Sequence, residues 1–402
     1  MLIATVSAQN INDAAISAAV SDELVDDSAV GATAIDVTTI NGIVTLSGTV
    51  DNLLARDRAI ELAETIRGVR AVVDKIAVDT PTRSDRALRE DVSNALLYNR
   101  ATESFEVSIM ADDQHVTLNG TVDSWQEKDL AGRVARGVHG VKSVDNQLQV
   151  DYETQRPDAE IAPEIREALR WNALVDDALI DVSVDAGQVT LAGTVGSAAE
   201  KRLETYDAWV AGVTSVNADS LEVARWARDE DLRTDKYVSR TNDQIVAAVQ
   251  SAMLYDPSVN TYDISVSADN GVVTLRGTVD TVHARRAAAR NAGNTVGVWR
   301  VKNRISVRAE GMTDAQIERN IQNALIRNPI VNRHELVVDV VGGQAYLSGT
   351  VDTFFEKREA DDIAGQTYGV TAVNNNIAVD RTFGGGIYEH YVGPSDLFDY
   401  EL

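Results

Sequence analysis

Apolar side chains along the chain follow two rhythms in turn. Ile245, Val249, Ala252 and Met253 stand at i, i+4, i+7 and i+8, one apolar stripe on a helix. The stripe returns as Ile317, Ile321, Ala324, Leu325, as Leu88, Val92, Ala95, Leu96, as Ile161, Ile165, Ala168, Leu169 and, shortened, as Ile16, Val20, Leu24. Two of these helices open on Thr241-Asn242-Asp243-Gln244 and Thr313-Asp314-Ala315-Gln316, capping boxes whose side chains satisfy the free amides of a first turn. The rhythm then changes to period two. Ile35 and Val37 alternate with polar residues, Asn41-Gly42 supplies a tight turn, and Val44, Leu46 and Val50 alternate again, which predicts a β-hairpin. Ala186-Gly187, Asn270-Gly271 and Gly342-Gly343 fill the same turn elsewhere. Val44, Leu46 and Val50 face the core, so Thr45, Ser47 and Thr49 form a polar outer row.

These patterns are copies of one unit. The segment Val44–Val50 recurs as Val116–Val122, Val189–Val195, Val273–Val279 and Ala345–Val351. Its central glycines Gly48, Gly120, Gly193, Gly277 and Gly349 are 72, 73, 84 and 72 residues apart. Each lies 24 residues after the last stripe residue, so helix-to-strand geometry is fixed and the longer gap before the fourth unit is linker. After each hairpin a second helix is expected, with Asp51, Asp123, Asp280 and Asp352 at its N-cap and Gly196 as the exception. It should end at a Gly-Val mark (Gly68, Gly140, Gly212, Gly297, Gly369), where glycine permits a left-handed helix end, and a final strand follows. The fold class is α+β: five tandem αββαβ modules, each a three-stranded sheet with two helices on one face. The modules span 10–79, 84–151, 158–224, 241–308 and 313–380, with a linker at 225–240 and an aromatic tail at 383–402. Units this small bury little core and are individually marginal, so contacts between them matter.

Composition narrows the function. With 62 acidic and 37 basic residues the formal charge is −25, which argues against nucleic acid as a partner. No cysteine is present, so disulfides, thiolate metal sites and cysteine nucleophiles are excluded. No run is long and apolar enough for a transmembrane helix. Many carboxylates with few lysines suit either a saline habitat or an ordinary acidic surface. At the N-terminus, Val6-Ser7-Ala8 before Gln9 resembles a signal-peptidase site, without the basic region and long apolar stretch of a full export signal. Residues 1–8 are either the tail of such a signal or a plain terminus.

The Gly-Thr-Val hairpin, the capped helix after it, and the ending Gly-Val-x-x-Val-x-Asn-x-[Ile/Leu]-x-Val, read in Gly140–Val150, Gly297–Val307 and Gly369–Val379, resemble the BON (bacterial OsmY and nodulation) family over residues 10 to 380. The resemblance implies a small α+β module of the Gram-negative envelope, associated with phospholipid binding, osmotic or envelope stress and chaperone-like roles. It implies no catalytic motif, and similar modules build secretion rings. Localisation is therefore expected in the periplasm, outside the cell or elsewhere in the envelope, with the cytoplasm not excluded.

No enzyme is expected, and no catalytic residue, cofactor or metal is assigned. The histidines His115, His139, His283, His334 and His390 fall at different places in their units. Acidic pairs such as Asp176-Asp177 lack the spaced oxygens of a calcium loop and read as solvated surface. One chemistry does recur: eight residues after each central glycine stands a cation, Arg56, Lys128, Lys201, Arg285 or Lys357. Near a helix start this is a poor place for positive charge. It reads either as a contact to phosphate headgroups or another anion, or as a surface pair with a carboxylate such as Asp51 or Asp123. Beside it, Leu53, Leu54, Trp125, Val282, Phe354 and Phe355 either dip into an acyl boundary or pack between repeats. Phe383, Tyr388, Tyr391, Phe398 and Tyr400 make the tail a candidate assembly element. Two functions follow. One is a non-enzymatic envelope protein holding phospholipid or client proteins through multivalent weak contacts. The other is a self-assembling ring or filament subunit, a homo-oligomer built by repeat packing and the tail.

Overall fold

The computed structural model of the protein describes residues 12–27, 29–30, 35–99, 101–102, 106–152, 156–228, 236, 238–260, 262–308 and 311–380. Repeat 1 contains α1 (Asp13–Asp26), β1 (Ile35–Ile40), β2 (Ile43–Val50), α2 (Leu53–Thr65) and β3 (Ala71–Val78). Repeat 2 contains α3 (Asp85–Tyr98), β4 (Glu106–Asp112), β5 (His115–Val122), α4 (Trp125–Arg136), β6 (Ser143–Asn146) and β7 (Gln149–Val150). Repeat 3 contains α5 (Asp158–Trp171), β8 (Ile180–Asp185), β9 (Gln188–Val195), α6 (Ala198–Asp207) and β10 (Ser215–Val223). Repeat 4 contains α7 (Asn242–Leu254), β11 (Ser265–Asp269), β12 (Val272–Val279), α8 (Val282–Gly293) and β13 (Arg300–Val307). Repeat 5 contains α9 (Asp314–Arg327), β14 (Val337–Val341), β15 (Gln344–Ser348), β16 (Thr350–Val351), α10 (Phe354–Gln366), β17 (Ala372–Asn375) and β18 (Ala378–Val379).

In each unit the second hairpin strand is central. β2 pairs antiparallel with β1 and parallel with β3, and the other units repeat this order. The expected α+β modules are therefore present, each with its own core under the two helices. Val44, Leu46 and Val50 are buried, as are Ile16, Val20 and Leu24 from the helix stripe. All five hairpin turns place both residues at positive φ, the mirror-image turn that matches strand twist. Repeat 2 does this with Asp113 and Gln114 and no glycine; Gln114 Nε2 donates to the carbonyls of Pro81 and Gly140, both at 2.9 Å. In the other repeats the first helix holds the turn. Asp13 accepts from Asn41 and Gly42, Asp158 from Ala186 and Gly187, Asp314 from Gly342 and Gly343, and Asn242 from Asn270.

Two local expectations need correction. The second helices are capped one residue later than the aspartates, by Asn52, Ser124, Ser197, Thr281 and Thr353. Each accepts an amide of its first turn, and with this register repeat 3 is no exception. Where the N3 residue is Glu127, Glu200 or Glu356, its carboxylate accepts the amide of Asp123, Gly196 or Asp352, so the aspartate position serves through its backbone. The Gly-Val glycines likewise do not end the helices. α2 stops at Thr65 and α6 at Asp207, and Gly68 and Gly212 take positive φ in the turn beyond, leading into the last strand.

The central glycines of repeats 1 to 4 sit within the central strands: Gly48 pairs with Ile35 on one side and Ile76 on the other, and Gly277 pairs with Ile305. At Gly193, φ is +131°, and a Cβ there would collide with the carbonyl of Leu179; at Gly277 it would stand 2.7 Å from Asp263 O. We expect Gly193→Ala to cost about 3 kcal/mol in urea unfolding. Gly137→Ala, whose Cβ meets nothing closer than 3.4 Å at φ −74°, should be close to neutral.

The repeats do not string out as beads. Repeats 2 and 5 join through the last turn of a first helix and the turn at a Gly-Val mark. His139 N donates to Arg327 O at 2.7 Å, and Asn99 bridges Thr367. Repeats 3 and 4 join the same way: Val296 N donates to Trp171 O at 2.8 Å, and Asn172 bridges Thr295. Repeat 1 enters differently. Its α2 packs on α6, Leu53 is buried in the repeat 2 core, and Leu54 packs on the repeat 5 core. In the segment before repeat 4, Arg225–Arg228 form a short 3₁₀ turn, and Lys236 Nζ donates to the carbonyls of Leu169 and Arg170, both at 2.8 Å, at the end of α5.

Candidate functional site

The recurring cations lie half-buried on the second helices. Arg56 Nε donates to Asp74 at 2.6 Å, and Lys201 Nζ donates to Leu221 O at 2.8 Å. The partner of Arg56 is thus a carboxylate of the last strand rather than Asp51. Lys128, Arg285 and Lys357 have no side-chain partner among the described residues; burial pushes the Arg285 pKa down. Their backbone carbonyls are taken by the asparagine of the ending motif: Asn146, Asn303 and Asn375 donate to them at 2.6, 2.8 and 2.8 Å. Asp74 occupies that asparagine's place in repeat 1, which is why it meets a side chain there. The motif's asparagine is therefore a clamp between last strand and second helix, a role the sequence did not disclose.

Most of the neighbouring apolar positions lie in seams between repeats. Leu53 is buried in the repeat 2 core and Val282 in the repeat 5 core, each near 2% exposed or below, and Leu54 is half-buried. Trp125 stacks on Trp209 of repeat 3 with ring centroids 4.8 Å apart and planes 6° off parallel, and Tyr206 meets it edge-on at 5.2 Å. Phe355 packs on its own core, and Phe354 is 61% exposed. Phe383, Tyr388, Tyr391, Phe398 and Tyr400 lie outside the described residues, as do residues 1–8.

Three features have no counterpart in the sequence reading. The first is a cavity of about 470 Å³ to whose wall every repeat contributes, and a second of about 580 Å³ opens between repeats 3 and 4. The second is Glu204 on α6, fully buried, with neither carboxyl oxygen hydrogen-bonded among the described residues. Burial, with Glu200, Asp207 and Asp176 nearby, pushes its pKa up to about 9; burial also lifts Asp207 to about 6. The third joins His334, Asp352 and Glu356, whose ligand atoms fall within 4.8 Å of one another. Arg333 donates to both carboxylates of that set, so a guanidinium already meets its negative charge. A signal for the cavity did exist. Two residues past four of the five stripes stand Tyr98, Trp171, Tyr255 and Arg327, large side chains that line one cavity or the other; the first stripe has Asp26 there.

Comparison with protein families matches the five-repeat arrangement. The BON domain profile fits residues 12–80, 84–152, 157–225, 241–309 and 313–381. The osmotically-inducible protein Y of Escherichia coli K12 is 36% identical over 146 residues, covering 35% of this chain and 73% of that protein. Among solved structures, the C-terminal domain of CdsD, a structural protein of the type III secretion system of Chlamydia trachomatis, aligns with 15% identity and a TM-score of 0.15, covering 52% of this chain and 96% of that one. The PrgH periplasmic domain aligns with 16% identity and a TM-score of 0.13, covering 54% and 98%.

Proposed function

Because the chain belongs to the BON domain family in five tandem copies, we propose that it is a non-enzymatic cell-envelope protein that binds phospholipid or client proteins under osmotic or envelope stress. The name of its relative, an osmotically-inducible protein, supports the setting. The observation that carries the binding reading is the repeated placement of Lys128, Arg285 and Lys357. Each is a half-buried cation without a side-chain partner among the described residues, near the start of a second helix, where amides and charge together attract an anion. Arg56 and Lys201, occupied by Asp74 and Leu221, contribute less. Several weak contacts on one body add through effective concentration.

Co-sedimentation with phosphatidylglycerol vesicles tests this. The triple variant Lys128→Ala, Arg285→Ala, Lys357→Ala should bind roughly tenfold more weakly than the parent at low salt. Equal binding by both would remove these cations from the function. Light scattering of the full chain against residues 1–382 addresses assembly: a particle that depends on the tail would turn the reading toward a scaffold.

A further inference from the structure

The cavity at the meeting of the five repeats is lined by Leu54 of repeat 1, Arg133 of repeat 2, Tyr206 of repeat 3, Arg290 of repeat 4 and Arg327 of repeat 5. Arg327 is the unusual member. It is 8% exposed, yet its guanidinium has no hydrogen bond or ion pair among the described residues. The acid that attracts it, Asp91, is already held by Arg83 at 2.7 Å. Burial pushes its pKa down, with Asp91 and Tyr98 opposing. A guanidinium carries five donors in a rigid fork and is costly to bury without an acceptor. Arg327 here lines an open volume.

The rest of the wall matches. The side chain of Arg290, in the last turn of α8, also lacks a partner among the described residues, and there the Arg133 side chain pairs only through Nε with Asp129, at 3.1 Å. The two carboxylates of the wall are satisfied internally. Asp256 accepts from Ser258 N and from Asn291 Nδ2, each at 2.9 Å, and Glu359 accepts from Asn328 Nδ2 at 2.7 Å. Leu130, Val134 and Ile363 supply apolar surface beside the charges. In a chain of net charge −25, three arginines at one cavity form a local anion trap.

We propose that this cavity binds a small organic anion, an apolar body carrying a phosphate group, with Arg327 as its forked partner and Arg290 and Arg133 as supporting charges. A fork of paired N–H donors matches phosphate oxygens, and a volume of about 470 Å³ suits a molecule of metabolite size. The phosphate is either that of a soluble metabolite or the headgroup of a lipid. Lys128, Arg285 and Lys357 do not line it, so the site stands whether or not those three cations touch a membrane.

Calorimetric titration of the full chain with hexyl phosphate tests the proposal, with hexyltrimethylammonium as the tail bearing the opposite charge. One saturable site per chain is expected for the phosphate and none for the ammonium. Arg327→Gln should weaken binding roughly tenfold or more, and Arg290→Gln, at an exposed position that folding tolerates, roughly threefold to tenfold. Absence of saturable hexyl phosphate binding, or equal affinity in the parent and both variants, would overturn it. Displacement of bound hexyl phosphate by phosphatidylglycerol vesicles would assign the phosphate to lipid. Its persistence in their presence would assign a soluble ligand.

Discussion

Glu204→Gln should stabilise this protein at pH 8 by about 3 kcal/mol and leave it nearly unchanged at pH 4. The side chain is fully buried on α6, neither oxygen has a hydrogen-bond partner among the described residues, and burial with acidic neighbours raises its pKa from 4.5 to about 9. The folded state therefore holds a proton that the unfolded chain releases. The stability that depends on that proton is complete below pH 4.5 and is lost progressively as pH rises toward 9. Asp207, lifted to about 6, acts with the same sign over a lower window. His283 acts oppositely: burial, aided by Arg290, holds it at about 4, so folding loses stability as pH falls below its ordinary 6.5. Urea unfolding from pH 5 to 9 reads these terms directly. A parent curve without a decline across that range, or a variant no more stable at pH 8, would refute the assignment.

Leu53→Ala should cost about 3 kcal/mol, although the residue belongs to one repeat and fills the core of the next. Leu53 opens α2 and lies among Leu88, Val92, Leu118 and Leu148 of repeat 2. Repeat 1 keeps its own core of Ile16, Val20, Leu24, Val44 and Leu46, so the damage falls on the seam. The expected signature is a separation of the unfolding transition into stages as coupling between repeats weakens. A loss under about 1 kcal/mol with a single sharp transition would show that the repeats are held together elsewhere.

The sequence was most informative where structure is local. The helix stripes, the hairpin alternation and the hairpin turns act over a few residues and appear at the expected places, except that Ala252 of the fourth stripe is exposed. Local signals also explain the one-residue error at the second helices. Asp51 and Asn52 are both good caps by residue type, and only the backbone register shows that Asn52 accepts the amide of Ala55. Repeat 2 formed its hairpin turn without glycine because Gln114 is held by two carbonyls distant in sequence, which no turn rule registers.

By itself the sequence determined five α+β units, their order, their helix stripes, the buried face of the central strands and their BON family membership. Periodicity and turn chemistry carry that information within a single unit. Only the tertiary structure decided that repeat 2 meets repeat 5 while repeat 3 meets repeat 4, that Trp125 stacks on Trp209, and that the Glu204 and Arg327 side chains are buried without hydrogen-bond partners among the described residues. Such contacts depend on complementary surfaces brought together from distant parts of the chain. A charged residue reads the same in sequence whether its neighbours leave it in water or close over it, and burial alone decides its chemistry.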